Sequence, residues 1–227
     1  MIAELEALQR ALAERWAREP ACALPTDRPL LVGGVFVATG RAGEGPGAAG
    51  DPAWAASVVM RIEEVVEARV LQGHLDAPYV AGLLALREGR LLVETIGMLL
   101  TRPDVLLVNA TGRDHPRRAG LALQLGAELD LPTIGVTDRP LLARGPLPGL
   151  ERGAHAELRL EGELVGYRVT TCAGARPLAV HVAWRTDADL ARSILLTLGS
   201  GQRTPGPMRE ARRLARSARA ADTGATG

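Results

Sequence analysis

The sequence predicts an α/β domain: a mixed sheet with helices on both faces. Three observations predict it. Short, almost wholly apolar runs recur at 30–37, 105–108 and 133–136; a strand reads this way when both faces of its sheet are buried. These runs alternate with longer segments whose apolar residues repeat every three to four positions, the period of a helix. The length, 227 residues with a 47% hydrophobic share, suffices for one sizeable core and is short for two. Only 3% of residues are aromatic, so Leu, Val, Ala and Ile must build that core.

The elements follow in order. Ile2, Leu5, Leu8, Leu12 and Trp16 form one helical stripe within 1–19, ended by Pro20 and Pro25. Residues 30–37 are the first buried strand. The Gly/Ala stretch 40–52 holds no core formers and reads as a mobile loop. Two β-branched runs, 57–62 and 65–71, flank Glu63-Glu64 and read as adjacent strands with a tight turn. The period then changes to helical over 79–100. Val105–Val108 is a second buried strand, 116–129 a helix with proline at its first position, and 133–136 a third buried strand. A Pro/Gly linker at 144–153 leads to a hairpin, 156–160 and 165–171, turning at 161–163. Leu178–Val182 is another strand, 189–198 a short helix, 208–220 a basic helix and 223–227 a tail. The expected organisation is a single domain over 1–202 with an Arg-rich helix and flexible tail over 203–227.

Composition excludes several chemistries. All 27 basic residues are arginine, which removes a Walker lysine, a Schiff-base lysine and any lysine nucleophile. Cys22 and Cys172 cannot make a disulfide scaffold or a four-cysteine zinc site. No apolar run reaches about 18 residues, so no membrane span is expected. Four glutamates within 1–19 make a poor secretory leader; a cytoplasmic protein is expected. The net charge of +1 argues against a general polycationic coat, though not against a local basic patch. His74, His155 and His181 have no metal-ligand spacing and read as structural or surface residues. In sheets of this kind ligands sit beyond the carboxyl ends of the buried strands, here 36–39, 109–115 and 137–139.

Three stretches carry more than composition: APYVAGLLALRE at 77–88, VNATGRDHPRRAG at 108–120 and LPTIGV at 131–136. In this order and spacing they resemble the endonuclease V family, over about 30–198. The resemblance implies a ribonuclease-H-like fold. It also implies recognition of deoxyinosine, or inosine in RNA for some members, and cleavage of a nearby phosphodiester with magnesium or manganese.

The base-recognition half of the implied site maps well. Pro78 and Tyr79 match a wedge that fills the gap left by an extruded base; stacking there offsets part of the unstacking cost. The wedge's second proline is Ala81 here. Gly82 and Gly120 match pocket glycines that let the backbone approach the base, and Ala110 replaces a further one. His115, Arg117 and Arg118 match a phosphate-facing turn. The catalytic half maps poorly. The family's first aspartate falls on Val35, its second on Asn109, its late histidine on Trp184 and its lysine on Asp138. Only the glutamate, Glu88, is retained. Magnesium and manganese want carboxylate oxygens, and a two-metal site needs a carboxylate shared between ions about 4 Å apart. Asn109 offers a neutral carbonyl and Val35 nothing.

The resulting expectation is a nucleic-acid-binding homologue, with DNA placed ahead of RNA as partner, and with lost or strongly reduced metal-dependent nuclease activity. One alternative is an active endonuclease whose metal site is rebuilt from Glu88, Asn109, Asp114 and Asp138. Against it, Asp114 reads as the cap of a helix beginning at Pro116 and Asp138 as a turn residue. The other alternative is a protein-interaction module on the same fold. The C-terminal arginines, Arg203, Arg209, Arg212, Arg213, Arg216 and Arg219, face only Glu210. They either track a nucleic-acid backbone or form a solvated face.

Overall fold

The computed structural model describes residues 2–40, 47–198 and 201–224. Helix α1 (Ile2–Trp16) precedes three strands, β1 (Leu31–Thr39), β2 (Pro52–Arg61) and β3 (Glu64–His74). Then come α2 (Leu84–Gly97), β4 (Val105–Val108), α3 (Leu121–Leu129) and β5 (Thr133–Thr137). The chain ends with β6 (His155–Leu160), β7 (Glu163–Val169), β8 (Leu178–Val182), α4 (Ala188–Thr197) and α5 (Gly206–Gly224). The strands make one eight-stranded sheet in the order β3-β2-β1-β4-β5-β8-β7-β6. Its centre is parallel, β1 with β4 and β4 with β5, and the remaining pairs are antiparallel. The carboxyl ends of the three central strands therefore open on the same side.

Alternation along the central strands divides the core into two layers. Val35, Leu106 and Val108 join α2 and α3 on one face, with Trp16 of α1 packed against them. Val32, Leu107, Ile134 and Val136 join α4 and the start of α5 on the other. The β6–β7 hairpin turns through Glu161 and Gly162, with φ of 51° and 85°; two left-handed residues match the twist of the strands they join. Gly34 is needed for a different reason: a Cβ there would lie 2.4 Å from the backbone of Pro207. The first turn of α5 crosses the sheet at that point.

Several sequence expectations are corrected. The buried face of α1 runs through Leu5 and Gln9, while Ile2 and Leu8 are exposed. The helix is thus rotated from its apolar stripe because Gln9 finds polar partners. Of the loop expected at 40–52, residues 41–46 lie outside the described residues; its end is ordered, with Asp51 buried and Pro52 already in β2. Pro116 opens no helix. Arg118 has φ +57° and Gly120 is extended, so α3 begins only at Leu121. Helix α5 is a packed layer: Met208, Ala211 and Ala215 are buried against β1 and β2, and Arg212 and Arg216 lie over the Phe36 ring. It runs through Gly224, into the segment read as a tail, and 225–227 lie outside the described residues. No helix among the described residues is long and apolar enough to cross a membrane.

Candidate functional site

Two adjoining hollows open at the carboxyl ends of the central strands. The first has a volume of about 230 Å³, and Tyr79, Gly82, Asn109, Ala110, Gln124 and Thr137 are among its walls. The second, about 250 Å³, is lined by Val35, Glu88, Leu92 and Val108. Tyr79 and Asn109 belong to both. Tyr79 is 51% exposed on the segment between β3 and α2. A large aromatic left this open, next to a fixed proline, is free to stack on a planar ligand.

The loop carrying Tyr79 is held through the carbonyl of Gly82. His115 Nε2 reaches it at 3.0 Å, Arg117 Nη2 at 3.1 Å and Gln9 Nε2 at 3.3 Å. The backbone N–H of Arg117 donates to His115 Nδ1 at 3.2 Å, so the imidazole proton sits on Nε2 and points at Gly82. Burial, with Arg117 adding to it, lowers His115 below the usual histidine value, against the hydrogen bond to Gly82. Arg117 is fixed in turn by the side-chain amide oxygen of Gln9, Oε1, and by Glu6 at 3.1 Å. Arg118 pairs with Glu161 at 2.9 Å, and Arg113 makes a bidentate pair with Glu163. In this structure the turn expected to face phosphate spends its polar groups on the protein, above all on aiming the Tyr79 loop.

The two glycines differ. Gly82 has φ +77° and lines the first hollow; a Cβ there would meet His115, Arg117 and Pro116 at ordinary distances. Its backbone conformation, not crowding, requires glycine. Gly120 is not part of the hollow's wall. A Cβ there would lie 2.3 Å from the Thr111 carbonyl oxygen, so this glycine serves a chain crossing within the protein.

Among the described residues, the second hollow holds one carboxylate. Glu88 is half-buried, and burial pushes its carboxyl up to about 7, with Arg87 offsetting part of the effect. Arg87 does not pair with it. Arg87 is buried, 3.6 Å from buried Asp51, and donates to the Ala77 carbonyl at 2.9 Å. Val35 is buried core beside Leu106 and Val108. Trp184 is wholly buried; Arg15 lies over its ring, and its indole Nε1 meets no acceptor among the described residues. It fills core space under Gly126 of α3.

The two aspartates weighed as substitute ligands are engaged elsewhere. Asp114 is fully buried and accepts three backbone N–H groups, from Leu141 at 2.6 Å, Leu142 at 2.8 Å and Ala143 at 2.7 Å. It therefore pins the loop after β5 and caps no helix. Asp138 is exposed and pairs with Arg203 at 2.6 Å. Among the described residues no three His, Cys, Asp or Glu side chains gather to hold a metal ion. The donor set does not fit magnesium or manganese, which require several hard oxygens around one point.

The family model for endonuclease V matches residues 23–213. The chain belongs to the endonuclease V family. Endonuclease V of Nocardia farcinica is 42% identical over 161 residues, 71% of each protein. Among solved structures, endonuclease V of Streptomyces avermitilis matches with a TM-score of 0.84 and 34% identity, over 98% of this chain and 95% of that one. Endonuclease V of Ciona intestinalis, in complex with DNA containing an inosine followed by a ribo-adenosine, has the same fold (TM-score 0.80, 21% identity, 95% of this chain and 96% of that one). The architecture is thus the ribonuclease-H-like α/β fold. For a divalent metal, which the endonuclease V family implies, the described residues of the second hollow supply one carboxylate, Glu88, with Asn109 beside it.

Sequence reasoning missed Gln9, Arg87 and Asp51; it read His181 as a structural or surface residue, and the structure places it in the core. His181 is fully buried, and its Nε2 lies 2.8 Å from the Thr137 hydroxyl. That hydroxyl donates to the Arg139 carbonyl at 2.7 Å. The imidazole proton is therefore on Nε2, and Nδ1 faces Asp114 at 3.6 Å without a hydrogen-bond partner. Burial pushes His181 down to about 4, with Asp114 opposing. One signal was present, a histidine inside an otherwise apolar strand at 178–182.

Proposed function

We propose that this endonuclease V family member binds nucleic acid at an extruded, deaminated base and has lost or strongly reduced metal-dependent cleavage. The observation that carries the reading is the contrast between the adjoining hollows. The first is built: an exposed Tyr79, a loop held by three donors to Gly82, and a polar floor of Gln124 and Thr137. The second holds Glu88 among Val35, Leu92 and Val108 and offers a cation one carboxylate. The inosine-containing DNA bound by the Ciona intestinalis protein supports the class of ligand. Tyr79 fills the gap left by the base, and the first hollow takes the base.

The test is a titration of duplexes with and without one deoxyinosine, with and without Mn²⁺, followed by a gel. Selective binding of the inosine duplex without cleavage is expected. Tyr79→Ala should lower that selectivity by about 1–3 kcal/mol, the usual worth of one base–aromatic stack. Mn²⁺-dependent cleavage lost in Glu88→Gln would overturn the loss of activity. Equal binding of both duplexes would overturn base recognition.

A further inference from the structure

A third hollow, about 770 Å³, adjoins the first: Arg139 and Pro140 line both. Among the described residues, its walls carry five arginines and one acid, Asp138. Arg203 is spent on Asp138 and on the carbonyls of Arg176 and Pro177. Among the described residues, the other four, Arg139, Arg144, Arg168 and Arg176, meet no carboxylate, and Arg168 Nε is buried without an acceptor. In a chain of net charge +1, four uncompensated guanidiniums around one hollow are a local field, not an average property. They come from separate segments: the loops after β5, strand β7 and the turn before β8. Leu147 and Leu150 stand on the same wall, 74% and 61% exposed.

We propose that this hollow is a track for the sugar–phosphate backbone of a single strand, holding the phosphates next to the extruded base. Its volume of about 770 Å³ and arginines drawn from three separate segments suit a run of phosphates and not one ion. Guanidinium groups match phosphate oxygens in charge and geometry. The exposed leucines give the intervening bases an apolar surface. The proposal rests on the reading of the first hollow as a base pocket, because that fixes where the strand enters.

The experiment follows anisotropy of short single-stranded oligonucleotides, one with deoxyinosine and one with deoxyadenosine at the same position, across a salt series. The proteins are the wild type, Arg144→Ala, Arg176→Ala and the double variant. Both arginines are exposed, so folding is not at stake. Arg61→Ala, at the opposite end of the sheet, is the control. Each single variant should weaken both oligonucleotides alike, about five-fold near 0.1 M salt, and reduce the salt slope by about 0.7, and the double variant should reduce the slope by about 1.4. Inosine preference and the control should not change. Wild-type affinity and slope in the groove variants overturn the proposal. So does a loss confined to the inosine oligonucleotide, or saturation of the hollow by inorganic phosphate alone. If the wild type binds both oligonucleotides equally while the arginine effects persist, the base reading fails and the backbone track stands.

Discussion

Asp114 shows how one side chain's meaning depends on where distant backbone passes. Its carboxylate takes three N–H groups from 141–143, and hydrogen bonds to a buried charge are among the stronger ones. Asp114→Asn keeps the shape but turns an acceptor into a donor facing an N–H. It should destabilise the protein by about 2–4 kcal/mol in urea denaturation. A silent substitution would mean that the loop is held by other contacts. The neighbouring His181 makes a pH prediction. Its folded-state value, about 4, lies below its ordinary 6.5, so the unfolded chain binds the extra proton first. Stability is then complete above about pH 6.5 and is lost as pH falls towards 4, at no more than about 1.4 kcal/mol per pH unit for one proton. Thermal melts of wild type and His181→Leu across this range test it: the variant should lose the slope. A slope unchanged in His181→Leu would assign the titration elsewhere.

At the scale of elements, the Tyr79 loop and the turn before α3 use glycine for opposite reasons, and substitution separates them. Gly82→Ala has room but a left-handed backbone, so a loss of about 1–2 kcal/mol is expected, with weaker inosine binding as the loop shifts. Gly120→Ala drives a methyl group into the Thr111 carbonyl and should cost at least about 3 kcal/mol. Equal effects would refute the distinction. The same region marks what the sequence could convey. Val105–Val108 is recovered residue for residue because an all-apolar run has one solution in a covered sheet. The start of α3 is misplaced because proline at 116 satisfies every local rule for a first helical position. What excludes a helix there is Arg118 at φ +57° and Glu161 and Glu163 reaching it from another hairpin, which no local pattern contains. The site divides likewise. Tyr79, Gly82 and Asn109 lie at the hollows as the motifs indicate, whereas Gln9, which holds Gly82, and Arg87, which holds Ala77, are unremarked polar residues in helices.

For the whole molecule, the C-terminal helix tests whether basic composition means an appendage. Ala211 and Ala215 are fully buried, and Gly34 admits the first turn of α5 at contact distance. Gly34→Ala should push α5 from β1 and destabilise the entire protein by about 2–4 kcal/mol, in one cooperative transition. A separate early transition, or none, would make α5 an independent element.

Helix α1 lies outside the region matched by the family model, 23–213, yet its Gln9 and Glu6 hold Gly82 and Arg117. Coupling of this kind is reciprocal. A ligand that immobilises the Tyr79 loop must also slow deuterium exchange along the first helix, 73 residues away in sequence but one hydrogen bond away in space. By the same linkage, whatever peels that helix off, whether a fused partner or mild denaturant, raises the dissociation constant at the hollow before the sheet itself begins to open.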